Sequence, residues 1–273
     1  MKMEKFYTEL KQAGGLFYDS EMEGKPFFRK RQRNLPHWEK SGAIYFITFR
    51  LAGSLPISVI QSLQEEYERR IKAARKDSVK NKAKVLKAIK DDLAKQIDDY
   101  LDKNIHVRYL ANPRIAKLVQ DAIFHFAIIA TESEEANETE IATETVALRD
   151  KLSGRSSGLQ PRYVLFRWVI MPNHVHLIIK PLVNPETGED FSLEKILHSI
   201  KSFTGHQANK ILNRSGQFWQ HESYDHIIRN EKEFINKILY IDYNPVKAGL
   251  CEKPEDWKWS SAYWLFQCFE KSV

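Results

Sequence analysis

The sequence predicts an α+β fold in which an antiparallel sheet is covered by helices. Strand-length runs of apolar, β-branched and aromatic residues occur at widely separated places, and the segments between them repeat apolar residues at three- and four-residue steps. The order is strand, helices, hairpin, helix, short strand, helix, not the regular alternation that builds a parallel sheet. With 273 residues, 42% hydrophobic and 12% aromatic, there is material for a large core, which excludes a collagen-like or mainly disordered chain.

The first 40 residues or so read as a basic arm. They carry Arg29, Lys30, Arg31 and Arg33, then Leu35-Pro36-His37-Trp38, with few periodic apolar positions. A solvated leader and a phosphate-contacting arm both fit. Ala43 to Leu51 is the first strand, closed by Gly53 and Pro56. From Ile57 to about Tyr100 the residues Ile60, Leu63, Tyr67 and Ile71 recur at helical spacing. The basic stretch Lys72 to Lys90 in this region is read as a solvated face, with nucleic-acid contact as the alternative. Pro113 opens a further helix, where its missing N–H costs little, and Ile115, Leu118, Val119, Ala122, Ile123 and Phe126 share its apolar face.

Thr131 to Val146 is acidic and Thr-rich and is expected to be a mobile insert. Arg162 to Ile170 and His174 to Lys180 are strands joined by the turn Met171-Pro172-Asn173, an antiparallel hairpin. Ser192 is placed as the N-cap of a helix with Leu193, Ile196, Leu197, Ile200 and Phe203 inward. Asp225 to Arg229 reads as a short edge strand. The helix from Glu231 is expected to run to about Asp242, with Asn244-Pro245 marking its end.

Charge and cysteine content narrow the class. Lys and Arg number 42 against 36 Asp and Glu, a formal net charge of +6, and the pI of about 9.1 points to a polyanionic partner. The 2 Cys, Cys251 and Cys268, are too few for a disulfide framework and too far apart for a paired-thiol metal motif. That fits a reducing, cytoplasmic compartment. Met1 to Leu10 lacks the apolar run of a signal peptide or anchor, so no membrane association is expected.

His174 and His176 lie two apart in a strand, so their imidazoles project from one face, where they can share a divalent ion. Two hydrogen-bonded strand histidines are the plainer alternative. Tyr240 and Asn244 are four apart and share a face if the last helix persists that far. A phenol with an ordinary pKa of about 10 needs an activated electrophile or a nearby base to act as a nucleophile. Spacing alone leaves open that Tyr240 and Tyr243 are packing aromatics.

Met171-Pro172-Asn173-His174-Val175-His176-Leu177, Phe218-Trp219-Gln220, Tyr224-Asp225-His226-Ile227-Ile228-Arg229 and Tyr240-Ile241-Asp242-Tyr243-Asn244-Pro245-Val246-Lys247-Ala248-Gly249-Leu250, taken in that order, resemble the single-tyrosine HUH transposases. Within these they are most similar to the REP-associated tyrosine transposases of bacteria. Leu35-Pro36-His37-Trp38, the Phe46 to Arg50 strand and Trp257-Lys258-Trp259-Ser260-Ser261-Ala262 fit the same pattern, so the resemblance runs over most of the chain.

The resemblance implies a ferredoxin-like (RRM-like) antiparallel sheet with helices on one face. It implies a single HUH domain over about residues 41–264, interrupted by a helical and acidic insertion at about 57–157 and followed by a tail over 265–273. It further implies Mg²⁺ or Mn²⁺ held by His174, His176 and Asn244, with Tyr240 as the nucleophile that cleaves hairpin-associated single-stranded DNA through a 5′-phosphotyrosine. The implied partners are REP-like or insertion-sequence hairpins, met by a monomer or a homodimer. The length of the insertion and the second phenol, Tyr243, depart from the family pattern.

Candidate phosphate contacts are Arg31 and Arg33 in the arm, Lys195, Lys201, Ser202 and Thr204 on the polar side of the Ser192 helix, and Arg229 and Lys247 beside the tyrosine helix. Trp38, Phe218 or Trp219 could stack on an unpaired base, with core packing favoured for Trp219. Two other classes remain open: a non-catalytic hairpin-binding protein, and a metal-dependent phosphoesterase using water.

Overall fold

A computed structural model of the chain describes residues 28–31, 37–76, 82–103, 106–130 and 160–270. Two short strands, β1 (Phe28–Arg31) and β2 (His37–Lys40), precede β3 (Ile44–Arg50). Helices α1 (Ile57–Lys76), α2 (Lys82–Lys103) and α3 (Pro113–Phe124) follow, then β4 (Ala127–Ile129), β5 (Tyr163–Ile170), β6 (His174–Pro181), α4 (Leu193–Ile211), β7 (Tyr224–Ile228), α5 (Glu231–Lys247) and α6 (Ser261–Glu270). The class is α+β, as the order of patterns predicts. The acidic Thr131–Val146 segment lies outside the described residues. No helix among the described residues is long and apolar enough to cross a membrane.

The main sheet has five strands in the order β4-β5-β6-β3-β7. Its interior pairs are antiparallel, with Thr48 opposite His176 and Arg50 opposite His174, and β7 is the expected edge, antiparallel to β3. The sheet is mixed and not wholly antiparallel, because β4 joins β5 in parallel. Three residues are too few to show a period, so β4 leaves no mark in the sequence. The β1–β2 ribbon inside the basic arm is hidden for the same reason: four-residue strands of charged composition carry no alternation.

The β5–β6 hairpin turns at Pro172-Asn173, closed by the Met171 amide donating to the His174 carbonyl at 2.9 Å. The register shifts between Leu165 and Arg167, a bulge that places one extra residue on β5. Phe166 packs with the α5 side while Leu165 and Trp168 join the other. The helices cover both faces of the sheet, correcting the expectation of one. On one side Tyr45, Ile47, Phe49, Val175, Leu177 and Ile179 pack against α3 and α4. On the other, Ile44, Phe46, Val169 and Ile178 pack against Phe234, Ile238 and Ile241 of α5.

Helix α3 starts as predicted, with Pro113 in its first turn and the Asn112 side chain accepting from the Arg114 amide at 3.0 Å. Helix α5 departs from expectation: it continues through Pro245 to Lys247. Pro245 cannot donate to the Ile241 carbonyl, and the ladder resumes beyond it with the Ala248 amide donating to the Asn244 carbonyl at 3.0 Å. The helix stops at Gly249, whose φ of 68° suits the left-handed closing residue. Phe203 on α4 is 46% exposed, not inward. Thr204, Gly205 and Ala208 face the core instead, and a side chain on Gly205 would meet Phe218 and Trp219 at 3.4 and 3.5 Å, so the helix presses its small residues there and turns Phe203 out.

Candidate active site

The site begins with alternation on β6. Val175 and Leu177 point into the α3–α4 core, so His174 and His176 point to the α5 face, and both are 0% exposed. Their ring centroids are 4.7 Å apart. Each Nδ1 is held by a neighbour. The Asn173 amide nitrogen donates to the Leu101 carbonyl at 2.7 Å, which turns the amide oxygen toward His174 Nδ1, 2.6 Å away. An amide oxygen only accepts, so Nδ1 of His174 carries the proton and Nε2 keeps its lone pair. Nδ1 of His176 lies 2.7 Å from the Thr48 hydroxyl on β3. Nε2 of both rings is buried without a hydrogen-bond partner.

Burial pushes the His174 imidazole down to about 3, with the Lys247 charge adding to it. His176 is lowered well below its ordinary value by burial, then by His174, Lys237 and Lys247. Two neutral imidazoles, each held at Nδ1 and unpartnered at Nε2, are suited to a metal ion.

Helix α5 brings the remaining groups. The Tyr240 ring stands edge-on to His176 with centroids 5.3 Å apart, and Phe46 of β3 lies 5.8 Å from it. One turn on, Asn244 is 1% exposed, and both its amide oxygen and nitrogen lack a partner. Because α5 persists through Pro245, Tyr240 and Asn244 do share a side of the helix. Tyr243 is 54% exposed. Among the described residues no three His, Cys, Asp or Glu side chains gather to hold a metal ion, so a cation would rely on His174, His176 and the Asn244 amide oxygen.

The C-terminal half of α2 supplies what the sequence did not reveal. The Tyr240 hydroxyl donates to Asp98 Oδ2 at 2.5 Å, and Asp98 is 8% exposed. Burial raises the Asp98 carboxyl to about 6; Tyr240 opposes the rise, Asp102 adds to it, and Lys237 and Lys247 oppose it. The Tyr240 phenol is driven far upward by burial and then by the Asp98 charge. Lys247 pairs with Asp99 at 2.6 Å and with Asp102 at 3.5 Å. Arg50 was also passed over: it sits opposite His174 in register, half-buried, with its guanidinium donating to Ser54 Oγ at 3.2 Å. Cross-strand partners share a face, so only a strand alignment could have flagged Thr48 and Arg50.

The candidate DNA contacts separate. Lys195, Ser202 and Arg229 are exposed. The Lys201 ammonium donates to the His221 carbonyl at 2.8 Å and to Ser223 Oγ at 3.1 Å. Thr204, expected on the exposed side, is 0% exposed: its hydroxyl donates to the Ile200 carbonyl and accepts from Trp219 Nε1. Trp219 and Phe218 are core residues at 5% and 3% exposure. Arg31 belongs to β1, and Arg33 lies outside the described residues, as do the side chains of Arg31 and Trp38.

No family model matches the chain. A Haemophilus influenzae protein provisionally described as a REP-associated tyrosine transposase is 32% identical over 100 residues, covering 34% of this chain and 54% of that protein. The REP-associated tyrosine transposase of Escherichia coli K12 is 35% identical over 94 residues, 34% of this chain and 51% of the relative. The chain thus spans about half the length of the curated relatives it matches. A solved structure described as a REP-associated tyrosine transposase bound to a REP hairpin aligns over 86% of this chain and 82% of its own with a TM-score of 0.41 and 17% identity, too loose a likeness to carry an argument. By sequence, the chain resembles the REP-associated tyrosine transposases, the group to which its ordered motifs point.

Proposed function

We propose that this protein cleaves and rejoins hairpin-associated single-stranded DNA, with Tyr240 as the nucleophile. The observation that carries the reading is the Tyr240 ring standing against His176, itself beside His174, with Nε2 of both imidazoles buried and unpartnered. Such atoms cost stability unless a ligand completes them. His174, His176 and Asn244 would hold Mg²⁺ or Mn²⁺, which when bound supplies Lewis-acid polarisation of the scissile phosphate.

The protein's own residues do the rest. Asn173 and Thr48 hold the two Nδ1 atoms, which leaves both Nε2 atoms for a ligand. Phe46 and His176, stacked on each other, both pack edge-on against the Tyr240 ring, which places the ring beside His176. Its oxygen bonds to phosphorus, the bond from phosphorus to the 3′ oxygen breaks, and the 5′ phosphate stays on Tyr240. A later 3′-OH reverses the step, so rejoining needs no external energy. Exposed Lys195, Ser202 and Arg229 are the proposed phosphate contacts along the strand.

Radiolabelled single strands carrying hairpins, incubated with Mn²⁺ or EDTA and run on a denaturing gel, test the reading. The wild-type protein should give a covalent protein–DNA band with Mn²⁺ only, and Tyr240→Phe should lose the band while still binding the hairpin. A band from Tyr240→Phe would overturn the assignment. Binding without any adduct would make the protein a non-catalytic hairpin binder. Cleavage that persists in Tyr240→Phe but is lost in His174→Ala would make it a water-using phosphoesterase.

A further inference from the structure

We propose that Asp98 is a catalytic residue: its carboxylate takes the phenolic proton of Tyr240 as that oxygen attacks the phosphate, and gives it back when the strand is rejoined. The inference rests on the phosphotyrosine reading and adds to it the group that handles the proton.

The geometry is specific. Asp98 Oδ2 accepts directly from the hydroxyl that would attack, at 2.5 Å, within the reach a general base requires. The contact joins residues 142 apart in the chain, so it is made by tertiary packing of α2 against the His face and not by local turn chemistry. The same stretch of α2 is fastened to the site twice more, by Asn173 donating to the Leu101 carbonyl and by Lys247 pairing with Asp99 and Asp102. The charged and titratable groups around Asp98 are Tyr240, Asp102, Lys237 and Lys247. Lys247 is already engaged by the other two carboxylates.

A phenol, with an ordinary pKa of about 10, is protonated at neutral pH, and this one donates its proton to Asp98. Attack therefore needs an acceptor that takes the proton as the bond to phosphorus forms. Burial holds the Asp98 carboxyl near 6, so it is ionised and able to accept at neutral pH, and it is a stronger base than an exposed aspartate. In the forward step the O–H bond of Tyr240 breaks, its proton passes to Asp98 Oδ2 and the new bond to phosphorus forms. The bond to the 3′ oxygen then breaks, and that oxygen takes a proton from solvent. In rejoining, the incoming 3′-OH gives its proton to solvent and protonated Asp98 returns its own to the departing phenolate, so atoms and charge balance over the cycle.

The test measures adduct formation rates on hairpin oligonucleotides at saturating Mn²⁺ across pH 5 to 8, for wild type, Asp98→Asn, and each with 3,5-difluorotyrosine at position 240. Wild type should slow below about pH 6, as Asp98 protonates. Asp98→Asn should bind the hairpin normally, form adduct ~10²–10⁴-fold more slowly, and lose that pH limb. The more acidic fluorinated phenol should recover a large part of the loss in Asp98→Asn. It should also flatten the limb in the otherwise unchanged protein, which keeps the test decisive if Asp98→Asn fails to fold. An Asp98→Asn rate within a few-fold of wild type with the limb intact would overturn the proposal. So would a slow Asp98→Asn that fluorination does not rescue, which would mark Asp98 as a positioning residue only. Absence of adduct from wild type would overturn the phosphotyrosine reading itself, and this inference with it.

Discussion

The two faces of the sheet follow different rules. On the α3–α4 side, apolar residues close a core whose polar atoms are mostly spent on partners: the Tyr163 hydroxyl donates to the Ile123 carbonyl, and Thr204 bonds both Ile200 and Trp219. Trp168 Nε1 and Asn209 Oδ1 are exceptions. On the α5 side, the buried atoms without a hydrogen-bond partner among the described residues include His174 Nε2, His176 Nε2 and the two amide atoms of Asn244. Each such group costs about 1–3 kcal/mol if left uncompleted. The difference teaches where to look for ligand chemistry: the orphaned imidazole and amide atoms gather on the α5 face.

The comparison can be broken most sharply at adjacent positions on β6. His176→Ala should abolish Mn²⁺ binding measured by titration calorimetry, and with it the covalent adduct, while lowering unfolding free energy less than a change in the apolar core, because loss of its uncompleted atom offsets part of the lost packing. Leu177→Ala, one residue on and 0% exposed on the α3–α4 face, should lower unfolding free energy by about 2–5 kcal/mol in urea titration. If His176→Ala destabilised the fold as much as Leu177→Ala, the contrast between faces would fail. Thr48→Val keeps the shape but removes the oxygen holding His176 Nδ1; Mn²⁺ affinity should weaken by ~10–100-fold. The smallest effect belongs to the surface: Lys195→Gln should lower the dependence of log hairpin affinity on log salt by about 0.7–0.9, with stability unchanged.

Much of this arrangement was legible in the chain. Strands β3, β5 and β6 announce themselves by β-branched and aromatic runs, and the period of two alone puts His174 and His176 on a common face. Helix α3 is readable from Pro113 and its apolar spacing. The illegible parts share one cause: they are contacts between distant segments. Asp98 looked like one more acid on a charged amphipathic helix, and nothing local says that its side chain ends at Tyr240. Thr48 and His176 are separated by 128 residues, and only strand registration brings them together. Thr204 and Phe203 were misplaced because helical spacing permits either inward, and the choice was made by Phe218 and Trp219 arriving from outside the helix. Pro245 misled because the bias of a pre-proline residue against the helix is a local preference, and the packing of α5 on the sheet overrides it.

The fastening of α2 to the histidine face has a consequence for anyone trimming this protein to a smaller scaffold. A version with residues 57–103 excised would retain both imidazoles, the phenol and every recognisable sequence signature, and would score as intact in any motif comparison. It would nonetheless lack the carbonyl that orients Asn173, the carboxylate against the Tyr240 hydroxyl and the two acids that anchor Lys247. The segment that looks most dispensable on paper is the one that holds Tyr240, Asn173 and Lys247 in place.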